Sequence, residues 1–177
     1  MSALVLIGPM GAGKTSVGRR VAKRLGMPFA DTDAAVVRDH GAIEQIFADY
    51  GEPHFRALER EAVHRALAAG GVVALGGGAV VHPDTRTELA GHRVVLLTVD
   101  PETIAARLRS SSRRVTSRPL LQGDDAIAQW QAIYQARRTL YESTADVTFD
   151  TSHGPLQDVV DAVVRWASDT EPNQEQS

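Results

Sequence analysis

Eight residues near the N-terminus, Gly8-Pro9-Met10-Gly11-Ala12-Gly13-Lys14-Thr15, restrict the fold more than any other stretch of the 177-residue chain. They fit G-x-x-x-x-G-K-[ST] in full, directly after the apolar run Ala3–Ile7 and at the start of a helical pattern over Lys14–Leu25. That context supplies strand, turn and helix in the order a phosphate cradle needs. Glycines let successive N–H groups converge on one anion, and the helix adds the positive end of its dipole. Gly11, Ala12, Gly13, Lys14, Thr15 and Ser16 are therefore the expected nucleotide-binding segment. Within it, Lys14 offers a mobile charge for the β and γ phosphates, and the Thr15 hydroxyl is a hard oxygen ligand suited to Mg²⁺.

The remaining chain alternates short apolar runs with longer helical patterns, the signature of an α/β protein with a parallel sheet. Strands are expected at Ala3–Ile7, Pro28–Ala30, Val72–Leu75, Val94–Val99 and Val147–Phe149. Most lack polar alternation, as strands covered on both faces do. Helices are expected at Lys14–Leu25, Ala34–His40, Ala42–Ala48, Pro53–Ala69, Pro101–Arg109, Ala126–Glu142 and Leu156–Ala167. The aperiodic stretch over about 110–125, rich in arginine, is expected to be a functional lid. No repeat or linker divides the chain, so residues 1–167 are expected to form one domain, with 168–177, free of apolar residues, as a disordered tail.

Composition narrows the classes further. Hydrophobic residues make up 43% and charged residues 23%, as in ordinary globular domains. The absence of cysteine excludes disulfides, thiolate nucleophiles and Cys-ligated zinc. A net charge of −3 argues against a nucleic-acid or anionic-membrane partner. No run is long and apolar enough to be a signal peptide or membrane span, so a cytoplasmic location is expected, and with no long exposed apolar patch evident a monomer is expected. Seventeen of the 19 basic residues are Arg, leaving only Lys14 and Lys23 as Lys.

The phosphate loop alone does not choose the reaction. The guanine-reading N-K-x-D of GTPase switches and the D-E pair of mechanical ATPases are both missing, which leaves a small-molecule kinase in front. The acceptor site is read from four features. Asp31-Thr32-Asp33 closes the second strand, and residues two apart at a strand end project to one side, where one carboxylate could serve Mg²⁺ through water and the other accept a hydroxyl hydrogen bond. The alternative is that Asp33 only caps a helix starting at Ala34. On the helix Pro53–Ala69, Glu59 falls inside the apolar face and Arg56 on its rim, where an i, i+3 ion pair is the simplest account. Arg137 lies on the apolar stripe Ile127, Trp130, Tyr134 and Tyr141, while Arg138 points about 100° away. A guanidinium so placed either grips a carboxylate or snorkels to water. Finally, Gly76-Gly77-Gly78 at the end of a strand implies close approach to the backbone.

Taken together, these residues resemble the shikimate kinase family over almost the whole chain. The resemblance rests on Gly8–Thr15, Asp31-x-Asp33, Gly51-Glu52-x-x-Phe55-Arg56-x-x-Glu59, Gly76-Gly77-Gly78, Arg118-Pro119-Leu120-Leu121 and Arg137-x-x-Leu140-Tyr141, in that family's order and spacing. It implies a P-loop three-layer sandwich with a central five-stranded parallel sheet, helices on both faces and a mobile lid. The implied reaction is transfer of the γ-phosphoryl group of ATP to the 3-hydroxyl of shikimate, on the route to aromatic amino acids. It further implies that Asp33 orients or deprotonates the acceptor hydroxyl, and that Arg56 and Arg137 clamp the carboxylate with Glu59 orienting Arg56. The Gly77 and Gly78 backbone would contact the ring, with Phe47 and Phe55 lining the pocket. Lys14 and Arg118 would stabilise the transferring phosphoryl, Thr15 and, through water, Asp31 would hold Mg²⁺, and Arg109 and Pro155 would pack the adenine. The lid runs about two residues longer than the family's usual pattern. A kinase of another polyol acid such as gluconate, or a nucleotide-binding regulatory module, are the rival readings.

Overall fold

The computed structural model describes residues 2–110 and 125–169. Its elements run β1 (Leu4–Ile7), α1 (Lys14–Leu25), β2 (Phe29–Asp31), α2 (Thr32–His40), α3 (Ile43–Tyr50), α4 (Glu52–Ala69), β3 (Val72–Ala74), a 3-10 turn (Ala79–Val81), α5 (Pro83–Leu89), β4 (Arg93–Thr98), α6 (Pro101–Ser110), α7 (Ala126–Thr144), β5 (Val147–Asp150) and α8 (Leu156–Asp169). The five strands form one sheet in the order β2-β3-β1-β4-β5, with every neighbouring pair parallel.

Alternation along β1 feeds two cores, one on each face of the sheet. Leu4 and Leu6 pack with Val17 and Val21 of α1, Ile104 of α6, Trp130 of α7 and Val160 and Val163 of α8. Ala3, Val5 and Ile7 pack on the opposite side with Val63 and Leu67 of α4, Leu89 of α5 and Tyr141 of α7. Both faces are covered, which is why the central strands read as unbroken apolar runs. A third, smaller core of Val36, Ile46, Phe55 and Ala62 joins α2, α3 and α4. Register places the functional segments at one edge: Leu6 lies opposite Ala74, and Asp31 also lies opposite Ala74. The glycine loop after β1, the aspartates after β2 and the triple glycine after β3 therefore emerge side by side at the carboxyl ends of the strands, where open α/β sheets bind ligands.

The structure departs from the sequence expectations in three places. The second strand ends at Asp31, and Asp33 lies in the first turn of α2. The helix starts at Thr32 because Asp31 caps it, accepting a hydrogen bond from the Ala34 amide at 3.0 Å. Helix α5 was not expected at all. Its start carries Pro83 in the first turn and the His82 ring, which accepts from the Asp84 amide, but Thr85 and Leu89 are its only buried residues. So short an apolar face gives no periodicity to read. Helix α8 continues through Ser168 and Asp169, two residues into the expected tail, where the Ser168 hydroxyl donates back to the Val164 carbonyl and the Arg93 guanidinium donates to the Trp166 and Ala167 carbonyls. The rest of the expected tail, and most of the expected lid, lie outside the described residues. Among the described residues, no helix is long and apolar enough to cross a membrane.

Candidate active site

The carboxyl edge of the sheet opens into a cleft of about 440 Å³, a size suited to small-molecule ligands. One half is built on the loop between β1 and α1. Its glycines adopt left-handed or extended positive-φ conformations, with φ of 142° at Gly8 and 94° at Gly13. A side chain on Gly8 would run into the Leu97 carbonyl of β4, so the loop can leave the sheet only through glycine. Gly11, Gly13, Lys14, Thr15 and Ser16 line the cleft. Ala12 does not: it is buried in the core below, and its amide donates to the Pro9 carbonyl at 3.2 Å, closing the turn. Lys14 Nζ donates to the carbonyls of Gly8 and Pro9 at 2.7 and 2.9 Å, so its charge is held at the mouth of the cradle.

The Thr15 hydroxyl donates to Asp31 Oδ2 at 2.5 Å. This contact brings together, from α1 and the end of β2, the two hard-oxygen groups expected at Mg²⁺. A hydroxyl and a carboxylate side by side at a phosphate loop form a donor set that fits that ion. The loop is also anchored from α7, where Trp130 Nε1 donates to the Met10 carbonyl at 2.8 Å.

The other half of the cleft is more enclosed. Asp33 faces it from α2, and its pKa is pushed up to about 6. Burial is the largest cause, followed by the nearby Glu59 and Asp31 carboxylates, against the lowering effect of Lys14 and Arg56. Position, not capping, accounts for Asp33, since Asp31 does the capping. From α4, Arg56 Nη1 donates to Glu59 Oε2 at 2.7 Å, so the ion pair expected at i, i+3 is formed. Glu59 is buried and serves Arg56, which in turn faces the cleft. Phe47 and Phe55 form an apolar wall, their ring centroids 5.1 Å apart.

The triple glycine makes room for these charges. A side chain at Gly76 would collide with Asp33 and Glu59, and one at Gly78 with the guanidinium of Arg56. The Gly76 amide donates to the buried Thr32 hydroxyl at 3.0 Å, and Tyr141 donates to the Gly77 carbonyl, so both sides of the turn are fixed. Arg137 reaches the same cleft from α7, one turn before Tyr141, whereas Arg138 turns outward to pair with Glu142 at 2.7 Å. The helical stripe read from the sequence thus separates the two arginines correctly.

Two expected contacts are not brought to the cleft. Arg109 is exposed on the last turn of α6, and Pro155 is exposed in the loop before α8. Arg118 lies outside the described residues. In place of Arg109, Arg107 lines the cleft, donating to the Gly11 and Thr151 carbonyls and so tying α6 to the phosphate loop and to the segment after β5. Thr151 reinforces that tie, its hydroxyl donating to the Ala12 carbonyl at 2.7 Å. Met10, Ile43, Leu108 and Leu156 add apolar wall that the sequence reading missed.

Comparison with known proteins agrees with this geometry. The family model described as Shikimate kinase matches residues 10–168. The chain belongs to the shikimate kinase family. Its activity is that of the family, a small-molecule kinase using ATP as co-substrate. Curated shikimate kinases from Streptomyces avermitilis and Thermobifida fusca are each 45% identical over 163 residues, covering 91% of this chain and 92% of the relative. The solved shikimate kinase from Acinetobacter baumannii in complex with shikimate superposes with a TM-score of 0.88 at 32% identity, covering 97% of this chain and 95% of that one. A gluconokinase from Sinorhizobium meliloti reaches a TM-score of 0.56 at 20% identity, which speaks for a shared fold alone.

Proposed function

We propose that this protein transfers the γ-phosphoryl group of ATP to the 3-hydroxyl of shikimate, giving shikimate 3-phosphate and ADP. The observation that carries this reading is the convergence of Asp33, Arg56 and Arg137, from three separate helices, on the cleft that the phosphate loop closes at its other end. An acceptor with one carboxylate and several hydroxyls matches two guanidiniums and a carboxylate so arranged.

Arg56 and Arg137 grip the carboxylate, Glu59 fixes the Arg56 head, and the Phe47–Phe55 wall with the Gly77–Gly78 backbone packs the ring. This sets the 3-hydroxyl against Asp33. As the hydroxyl oxygen attacks the γ-phosphorus, its proton passes to the Asp33 carboxylate and the bond to the ADP oxygen breaks. Lys14 moves from the Gly8 and Pro9 carbonyls to the phosphates, and Arg118 adds charge to the transferring group. Thr15, with Asp31 through water, would hold Mg²⁺, which neutralises charge developing on the phosphate oxygens when bound.

Asp33→Ala tests the assignment in a coupled ADP-release assay. Turnover with shikimate should fall by orders of magnitude while ATP affinity is nearly kept. A nucleotide-binding module without kinase activity would show no change in any measured activity.

A further inference from the structure

Arg56 stands between two carboxylates of its own helix, and they hold it differently. On the inner side Nη1 meets Glu59 at 2.7 Å, and the Glu59 side chain is 4% exposed. On the outer side Nε and Nη2 both point to a single oxygen, Oε1 of Glu52, at 3.4 and 3.2 Å, and the Glu52 side chain is 49% exposed. The inner pair is a fixed strut. The outer pair covers the guanidinium edge on which a carboxylate makes two parallel hydrogen bonds, yet it satisfies that edge with one oxygen at long distances. Half-exposed pairs of this spacing contribute little and are readily broken.

We propose that Glu52 is the resident counter-ion of the acceptor site. It holds the outer edge of Arg56 from the groove beside the cleft, Arg56 lining both, until the carboxylate of the acceptor, which brings two oxygens, takes the guanidinium from it. Glu52 thereby sets acceptor affinity by competition, and Arg56 keeps a partner in the empty cleft as well as in the filled one. The displaced Glu52 has a favourable resting place, because it is the first residue of α4 and sits at the positive end of the helix dipole. This inference rests on the assignment of Arg56 to the shikimate carboxylate.

The test is calorimetric titration of the full chain, without nucleotide, with shikimate and with its uncharged methyl ester. Glu52→Gln removes the competing charge. Glu52→Asp keeps the charge at the helix start but is one methylene too short to hold Arg56. Both variants should bind shikimate about two- to fivefold more tightly than the parent, with the gain shrinking as salt is raised and with ester affinity unchanged. Unchanged or weaker shikimate binding in both variants overturns the proposal. A gain in Glu52→Gln without one in Glu52→Asp also overturns it, since that pattern reports a field effect and not occupancy. Arg56→Ala separates the underlying assignment. If it leaves shikimate affinity intact, the carboxylate assignment fails; if it weakens binding while neither Glu52 variant tightens it, the assignment stands and the exchange is rejected.

Discussion

Asp33 titrates near 6 because burial raises it first, with Glu59 and Asp31 adding to that and Lys14 and Arg56 opposing it. A group that must accept a hydroxyl proton works only as the carboxylate, so kcat/KM for shikimate should rise with pH along an acid limb centred near 6 and level off above it. A pH–rate profile checks this. A limb near the ordinary aspartate value of about 4 would mean that Asp33 is not so perturbed or not the base. The same shift has a stability consequence. The folded pKa lies above the unfolded value of 3.8, so between the two the folded state holds a proton that the unfolded state has lost. Stability therefore falls as pH rises through that window. Asp33→Asn should consequently make the protein about 1–2 kcal/mol more stable to urea at pH 8, with turnover reduced roughly 10²–10⁴-fold. Arg137 and Arg138 form a matched pair of probes. Arg137→Ala should cost about 2–4 kcal/mol of shikimate affinity, since it leaves a desolvated carboxylate half paired. Arg138, exposed and paired with Glu142 at 2.7 Å, should tolerate alanine with no measurable change in shikimate binding.

Helix α4 and the turn after β3 work as one unit, because the turn has no side chains where the helix presents Arg56 and Glu59. Gly78→Ala should push the Arg56 guanidinium aside, raising KM for shikimate at least tenfold while KM for ATP, set at the other end of the cleft, stays within about twofold. Steady-state kinetics with each substrate varied in turn reads the difference. At this scale the sequence was informative where one element carries a whole function. The phosphate loop is contiguous, so backbone chemistry and sequence pattern coincide at Gly8–Thr15. Arg137 was legible because a charge on the stripe that includes the buried Trp130 and Tyr141 contradicts helical periodicity unless it has a partner. Asp33 was legible as a residue but not in its setting. Whether a strand stops at residue 31 or 33 depends on which aspartate caps the next helix, and that choice is made by tertiary contacts. The missed cleft residues have a common cause. Met10, Ile43, Leu108 and Leu156 come from four separate segments, and each looks like ordinary core until the sheet gathers them. Arg107, two residues from the arginine expected in the site, was lost to the helical phase at the end of α6.

In the whole molecule, the parallel sheet brings three loops to one edge and packs α4 and α7 so that a phosphate cradle and a carboxylate clamp share one cleft. The strand order and the register that achieve this depend on pairings across the chain, such as Asp31 opposite Ala74, which no local pattern encodes. The resulting arrangement favours an acceptor that carries both a carboxylate and a hydroxyl at a fixed separation on a rigid ring. A flexible linear polyol acid would have to be ordered at further entropic cost to make the same contacts. The most direct measurement is therefore a coupled ADP-release assay of the purified full chain with MgATP, offering shikimate and gluconate as acceptors in parallel. Shikimate-dependent ADP release that saturates, yields shikimate 3-phosphate in equal amount and far exceeds the rate with gluconate is the predicted result; folded, ATP-binding protein that releases no ADP above background with shikimate would contradict it.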